Sequence, residues 1–382
     1  MRSDIVKSIS DAMYKDVSRG LKDVVLDFSE ICEIDNNENK LRYRGYDVIE
    51  LASSCNFECT ISLLLDGELP SEHQYPRIEE LLDQKRVLSD SVVSVIDALP
   101  LASQPMDVLR TSVSTIGCSI SDDDLISIRE QADQLIAQMP LIIGYLKARR
   151  DGGIAPKYCP GFSHAANVLS QFTGTELSDL DPKDIEIMDQ VLTIHAEHEL
   201  NASCFSARVT ASAITDLVAA VTSAISTLAG SLHGGANEKV LEAVEEIATP
   251  EGAEEYIDSA LREKRKVHGF GQRGCKAEDP RAIQLRLLAE QVSKGRGGSK
   301  ILPILYSMNE AMRQHRNLWP NVDFYSVSVL HDIGIEKDLF TPLFACSRVV
   351  GWSAHVLEQL SDNLIIRPKA KYVGHAYRPI PL

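Results

Sequence analysis

The sequence predicts a mostly α-helical chain of two domains with a small β-hairpin near its N-terminus. Three observations carry this. Six long segments repeat apolar residues at three- and four-residue spacing: "DSVVSVIDALPLA", "DDDLISIREQADQLIAQMPLIIGYLKARR", "DPKDIEIMDQVLTIHAEHEL", "NEKVLEAVEEIA", "GAEEYIDSALREKRKV" and "TPLFACSRVVGWSAHVLEQLSDN". Strand signals concentrate in "VVLDFSEICEIDNNENKLRYRGYDV", two β-prone runs around the turn-rich "DNNEN", which reads as a hairpin. A chain of 382 residues also exceeds what one hydrophobic core usually organises.

Gly and Pro break the helical pattern at "RRDGGIAPKYCPGF", "IATPEG", "SKGRGGSK" and "LWPN", so the helices are separated by real turns. Apolar residues at 44% and charged residues at 25% exclude a disordered or fibrous chain. The run from Leu217 to Asn237 is long and uncharged, but its Ser, Thr, His, Asn and glycines suit a buried helix followed by a loop better than a bilayer span. With a formal charge of −16, the surface repels nucleic acid and anionic lipid, so neither is expected as a partner. An anionic substrate would need arginines gathered locally.

The eight cysteines lack a pair of Cys-x-x-Cys motifs and point to a reduced compartment. "MRSDIVKSISDAMYKDVSRG" has no signal-peptide core, and a cytoplasmic location is expected. Cys55 and Cys59 could sit a helical turn apart, and His195 and His198 lie three apart on a presumed helix, yet no third ligand follows at matching spacing and no metal is expected.

In "SAISTLAGSLHGGANEKVLEAVEEI" a helix rich in small residues runs into Leu-His-Gly-Gly and then into another helix. Asn237 reads as an N-cap, which puts His233 on a loop near a helix start. Paired glycines there let backbone approach a ligand.

Nine blocks, among them "LRYRGYDVIEL", "HAEHELNASCFSARVTAS", "GSLHGGANEKVLE", "GFGQRGCKAEDPRA", "PNVDFYSV", "LFTPLFACSRVVGWSAHVLEQ" and "IIRPKAKYVG", resemble in order the signature blocks of citrate synthases, from about residue 25 to the end. The short form fits best, and "DALPLASQPMDVLRT", "IGCSI" and "AEHELNAS" resemble the 2-methylcitrate synthase branch. The resemblance implies an all-α citrate synthase-like fold, with a large domain (1–233, completed by 335–382) and a smaller domain (234–334) that closes over acyl-CoA and a 2-oxo acid. It also implies a homodimer, no permanently bound cofactor, and acyl-CoA (acetyl-CoA or propionyl-CoA) as co-substrate beside oxaloacetate.

Condensing an acyl thioester with a ketone requires a base for the α-carbon, a hydrogen bond to the enolate oxygen, and cations for the oxo acid. By the resemblance, Asp323 is the base, His233 stabilises the enol and His198 holds the oxo acid. Arg281, Arg348 and Arg367 bind carboxylates, with Arg367 reaching the partner's site. Without the other blocks Asp323 would read as a turn or capping residue after "WPN". The basic, glycine-containing run "REKRKVHGFGQRGCK" suggests a path for CoA along Lys264, Arg265, Lys266, Gly269, Gly271, Arg273 and Lys276.

The pattern breaks in "GFGQ", where the family usually has Gly-Phe-Gly-His. Gln272 can donate a hydrogen bond but delivers no proton, and losing a positioned acid commonly costs about 10²- to 10⁴-fold. Gln104 likewise stands for a histidine. An active synthase with Gln272 as a neutral donor, a divergent enzyme of another 2-oxo acid or acyl chain, and a weak CoA- or dicarboxylate-binding paralogue all remain open at this level.

Overall fold

The computed structural model describes residues 17–21, 24–120, 127–271 and 277–380. Strands β1 (Cys32–Asp35), β2 (Lys40–Tyr43) and β3 (Tyr46–Asp47) form an antiparallel meander, with Cys32 opposite Tyr43 and Tyr43 opposite Tyr46. The Asp35 carboxylate turns the first hairpin by accepting from the backbone N–H groups of Asn37 (2.8 Å) and Glu38 (3.1 Å), an Asx turn that "DNNEN" encodes. The third strand is an addition to the single hairpin expected. Arg44 and Gly45 both take positive φ (45° and 89°), which makes a two-residue turn with primed geometry.

The rest is helical. Helices α1 to α5 (Val48–Ser54, Phe57–Asp66, Tyr75–Lys85, Asp90–Ala98, Pro105–Cys118) lead to the long α6 (Ile128–Asp151), then α7 (His164–Thr173), α8 (Pro182–His195), α9 (Ala202–Ala211) and α10 (Leu217–Leu228). The run first weighed as a span is thus the buried helix α10, and among the described residues no helix is long and apolar enough to cross a membrane. Next come α11 (Ala236–Ile247), α12 (Ala253–Arg262), α13 (Pro280–Gly295), α14 (Leu302–Arg316) and α15 (Val322–Asp332), before α16 (Phe340–Ser361) closes the helical order.

Helix α16 is buried on nearly every side from Phe340 to Val356 and packs against α2, α6, α8, α9 and α10. A helix apolar all round is one that belongs in a core. Its Gly351 is required by closeness: a Cβ there would lie 2.1 Å from Glu197 Oε2 and 2.4 Å from the Ala196 carbonyl oxygen. Helices α11 to α15 pack on one another, and α13 also touches α1 and α8 while α11 touches α16. The seam between these groups of helices holds the cleft described next.

Two expectations about helix ends are corrected. The N-cap of α11 is Gly235 rather than Asn237, whose Oδ1 instead accepts from the Glu238 N–H (2.7 Å) inside the first turn. Helix α8 stops at His195 instead of running through His198. Its last carbonyls are taken by distant side chains: Leu192 by Ser347 Oγ (2.5 Å), Ile194 by Tyr43 OH (3.3 Å) and His195 by Arg348 Nε (2.7 Å). These bonds satisfy carbonyls that the end of the helix leaves open.

Candidate active site

A cleft of about 710 Å³ gathers His198, His233, Lys266, Gly269, Gly271, Arg281, Asp323 and Arg348 along one wall or another. These residues come from α13, α15, α16 and the turns around 198, 233 and 269, the outermost being His198 and Arg348.

Asp323 stands in the first turn of α15, but it does not cap it. Asn321 does, its Oδ1 accepting from the Asp323 N–H (3.1 Å). The Asp323 carboxyl is therefore free for the cleft. Burial pushes its pKa from 3.8 to about 7, outweighing the lowering by Arg281 and Arg348, while Asp279 adds to the rise. A carboxylate so tuned is an effective base near neutral pH.

His233 sits on the turn between α10 and α11. Its Nε2 lies 2.8 Å from Ser203 Oγ and receives the Ser203 backbone N–H (3.3 Å), which can only donate. The ring proton is thus on Nδ1. Burial, helped by Arg348, lowers the His233 pKa to about 4, so the ring is neutral and offers Nδ1–H as a donor. Ser203 is itself held from both sides: Trp352 Nε1–H donates to its Oγ (3.0 Å), and Oγ reaches Asn201 Oδ1 (2.8 Å). Ser203 and Trp352 went unrecognised in the sequence, where only the "NAS" after His198 hints at the capping turn. Asn201 Oδ1 caps α9 by accepting from Ser203 N–H (3.1 Å) and Cys204 N–H (3.2 Å).

His198 falls in the turn after α8, next to Glu199 at φ 52°. Burial, Arg281 and Arg348 hold its pKa well below the ordinary histidine range. His195 points elsewhere, donating from Nδ1 to the Val191 carbonyl (2.8 Å) in the buried helix. The two histidines do not share a helical face, which removes the reading of them as a ligand pair.

Arg348 is buried; its plane lies over Phe344 (4.6 Å to the ring centre), Nε serves the His195 carbonyl, and among the described residues no carboxylate pairs with it. Arg281 is buried too and grips Asp279 through Nε (3.1 Å) and Nη2 (2.7 Å), leaving Nη1. Asp279 also caps α13 by accepting from the Arg281 N–H (3.0 Å). The cleft is thus a local cationic site on a chain of net charge −16.

The glycine stretch is fixed to the base. Gly271 N–H donates to the Trp319 carbonyl (2.9 Å), Asn321 N–H to the Gly269 carbonyl (2.9 Å), and Asn321 Nδ2 to the Gly271 carbonyl (3.1 Å). Gly269 has φ 84°, and a Cβ would come within 2.7 Å of Phe324 and 2.8 Å of Val240. Gln272, Arg273 and Lys276 lie outside the described residues. Of the preceding basic run only Lys266 lines the cleft. Lys264 is exposed at φ 58°, and Arg265 is exposed, bound to Glu263 (2.6 Å) and stacked on Tyr256. Arg367 is exposed on the extended segment after α16, away from this chain's cleft. Gln104 occupies the N-cap of α5 without a side-chain capping bond.

Among the described residues, Glu197, Cys204 and His355 bring ligand-type atoms within 4.8 Å of one another, all buried. Arg208 Nη1 donates to His355 Nδ1 (2.9 Å), and His355 Nε2 is 2.9 Å from Glu197 Oε1. Both ring nitrogens are thereby occupied and a guanidinium stands beside the group, an arrangement that disfavours a cation. Cys55, at the C-cap of α1, and Cys59, in the first turn of α2, are free thiols on separate helices.

The helices thus surround a cleft with a carboxylate tuned toward neutral pH, neutral histidines and buried arginines, groups suited to proton transfer beside an anionic ligand. Residues 20–369 match the family model described as citrate synthase, C-terminal domain. The chain is 38% identical over 370 residues to a citrate synthase of Synechocystis sp., covering 95% of this chain and 92% of the relative. It is 37% identical to 2-methylcitrate synthase 2 of Corynebacterium glutamicum, covering 97% and 98%. A solved ternary complex of carboxymethyl coenzyme A and oxaloacetate with citrate synthase from Thermoplasma acidophilum superposes with a TM-score of 0.90 at 30% identity, covering 96% of this chain and 98% of that one. The chain belongs to the citrate synthase family.

Proposed function

We propose that this enzyme joins acetyl-CoA or propionyl-CoA to oxaloacetate through the residues gathered in the cleft. Asp323 removes a proton from the α-carbon of the thioester while His233 Nδ1–H stabilises the enol oxygen. The carbon nucleophile then attacks the oxaloacetate ketone, whose carboxylates are met by Arg281, Arg348 and His198. The alkoxide takes up a proton and water cleaves the thioester, giving citrate or 2-methylcitrate and CoA. Gln272 serves at the ketone as a neutral donor. Helices α11 to α15, residues 234–334, close over both substrates, and Lys264, Arg265, Lys266, Gly269, Gly271, Arg273 and Lys276 serve the CoA path. No permanently bound cofactor takes part. Arg367 completes the site of a second copy in a homodimer, and the enzyme works in the cytoplasm.

One observation carries the reading: a carboxylate raised to about 7 shares a cleft with a histidine whose Nε2 is locked as an acceptor. That pairing supplies a base and a neutral donor at once. The test is to mix the protein with oxaloacetate and acetyl-, propionyl- or longer acyl-CoA and follow free CoA thiol. Release with one acyl chain identifies the substrate; binding of both ligands without release from any would overturn the proposal in favour of a silent paralogue.

A further inference from the structure

Behind the cleft runs a chain of buried polar side chains that the chemistry above leaves unused. Arg208 on α9 is 2% exposed and bonds Gln359 Oε1 through Nε (3.0 Å), with Nη1 reaching both Glu358 Oε2 (2.6 Å) and His355 Nδ1 (2.9 Å). A guanidinium has no acceptor, so His355 Nδ1 must be the bare nitrogen. The proton of His355 is then on Nε2, and it points at Glu197 Oε1, 2.9 Å away. Glu197 and His355 are both fully buried, and among the described residues the second carboxylate oxygen of Glu197 accepts only the weak Cys204 S–H (3.8 Å).

Glu197 directly precedes His198, and its backbone is held as firmly as its side chain. Its carbonyl accepts from Tyr43 OH (2.9 Å), its N–H donates to the same oxygen (3.2 Å), and Gly351 lets α16 press against it. Without the His355 contact the Glu197 carboxylate would be left charged and nearly unpaired in the core, an arrangement that proteins relieve by moving. The residue that moves with it is His198.

We propose that His355 and Glu197 are positioning residues: Arg208 fixes the tautomer of His355, His355 anchors Glu197, and Glu197 sets where His198 meets the oxo acid. This rests on the oxo-acid role given to His198 above. The relay's link toward the Ser203–His233 pair is the weak Cys204 S–H contact (3.8 Å), whereas Glu197 adjoins His198 directly, so its loss should fall mainly on one substrate.

The experiment compares wild type with His355→Leu, His355→Gln and Glu197→Ala. It measures direct binding of oxaloacetate by calorimetry without CoA, and KM for oxaloacetate and acyl-CoA separately. His355→Leu should weaken oxaloacetate binding about ten- to a hundredfold, the effect of a displaced contact of about 1 Å, with acyl-CoA KM changed less than about threefold. His355→Gln, whose amide can still donate to Glu197, should recover most of the loss. If His355→Leu does not fold, Glu197→Ala carries the same test, since it removes the side chain through which His355 would act on His198. Equal losses for both substrates, or no rescue by glutamine, would overturn the relay. Wild type that binds no oxaloacetate at all would instead overturn the reading of the site on which the relay rests.

Discussion

Replacing Asp323 with Asn should inactivate the enzyme and stabilise it, in a way that depends on pH. In the folded protein the carboxyl holds its proton up to about pH 7, whereas its ordinary value is 3.8. Between those values the folded state binds more protons than the unfolded chain, so this group's contribution to stability is intact below about pH 4 and drains away as pH rises toward 7. Fully ionised, the burial costs the folded state at most about 4 kcal/mol. Asn resembles the protonated acid and avoids that cost. Its melting temperature should come within about 1 °C of wild type at pH 4, exceed it by about 2–3 °C at pH 5 and by about 4–8 °C at pH 8, taking about 1–2 °C per kcal/mol for a chain of this length. The rate should fall about 10²- to 10⁴-fold, and wild-type kcat/KM should climb with pH to a plateau with its midpoint near 7. Calorimetric scans at pH 4, 5, 6, 7 and 8 with a thiol-release assay read both effects. A melting difference that is the same at every pH, or an acid limb near pH 4, would refute the argument that burial tunes Asp323.

Ser203→Ala removes the hydroxyl between His233 and Trp352 Nε1. It should cost about 1–3 kcal/mol in urea unfolding through the stranded indole N–H, and lower kcat more than it raises either KM. Gly269→Ala places a Cβ against Phe324 and Val240 at φ 84°, so the turn must shift; about 1–3 kcal/mol of stability and much of the acyl-CoA affinity should go, visible in melting and in KM. Gln272→His should raise kcat if oxaloacetate is the electrophile, since a proton donor is added; a drop would mean that the glutamine suits a different ketone.

Much of the fold was legible from periodicity. The segments ending in α10, α11, α12 and α16 lie where the apolar spacing put them, and the Asx turn of β1–β2 follows from "DNNEN". The ordered blocks also brought Asp323, His233, His198, Arg281 and Arg348 to one cleft. Other features were not legible because their causes lie far away in the chain. The residues at 195–198 do not show that α8 ends there, and the carbonyls it leaves open are satisfied by Tyr43, Ser347 and Arg348 from far away in the chain. Nor does a basic run say which cations face a ligand: Lys266 does, while Arg265 turns back to Glu263.

The sequence by itself determined which side chains were available, that the chain would be helical with one β-hairpin region, and to which family it belongs. Spacing and residue type are local properties that survive without coordinates. Only the tertiary structure decided how those side chains behave. The raised carboxyl of Asp323 depends on burial set against Arg281 and Arg348, the neutral His233 depends on burial and Arg348, and its tautomer depends on Ser203, which Trp352 holds from 149 residues further along. Proton positions and charge states follow from which groups meet in a low-dielectric interior, and that meeting is made by packing.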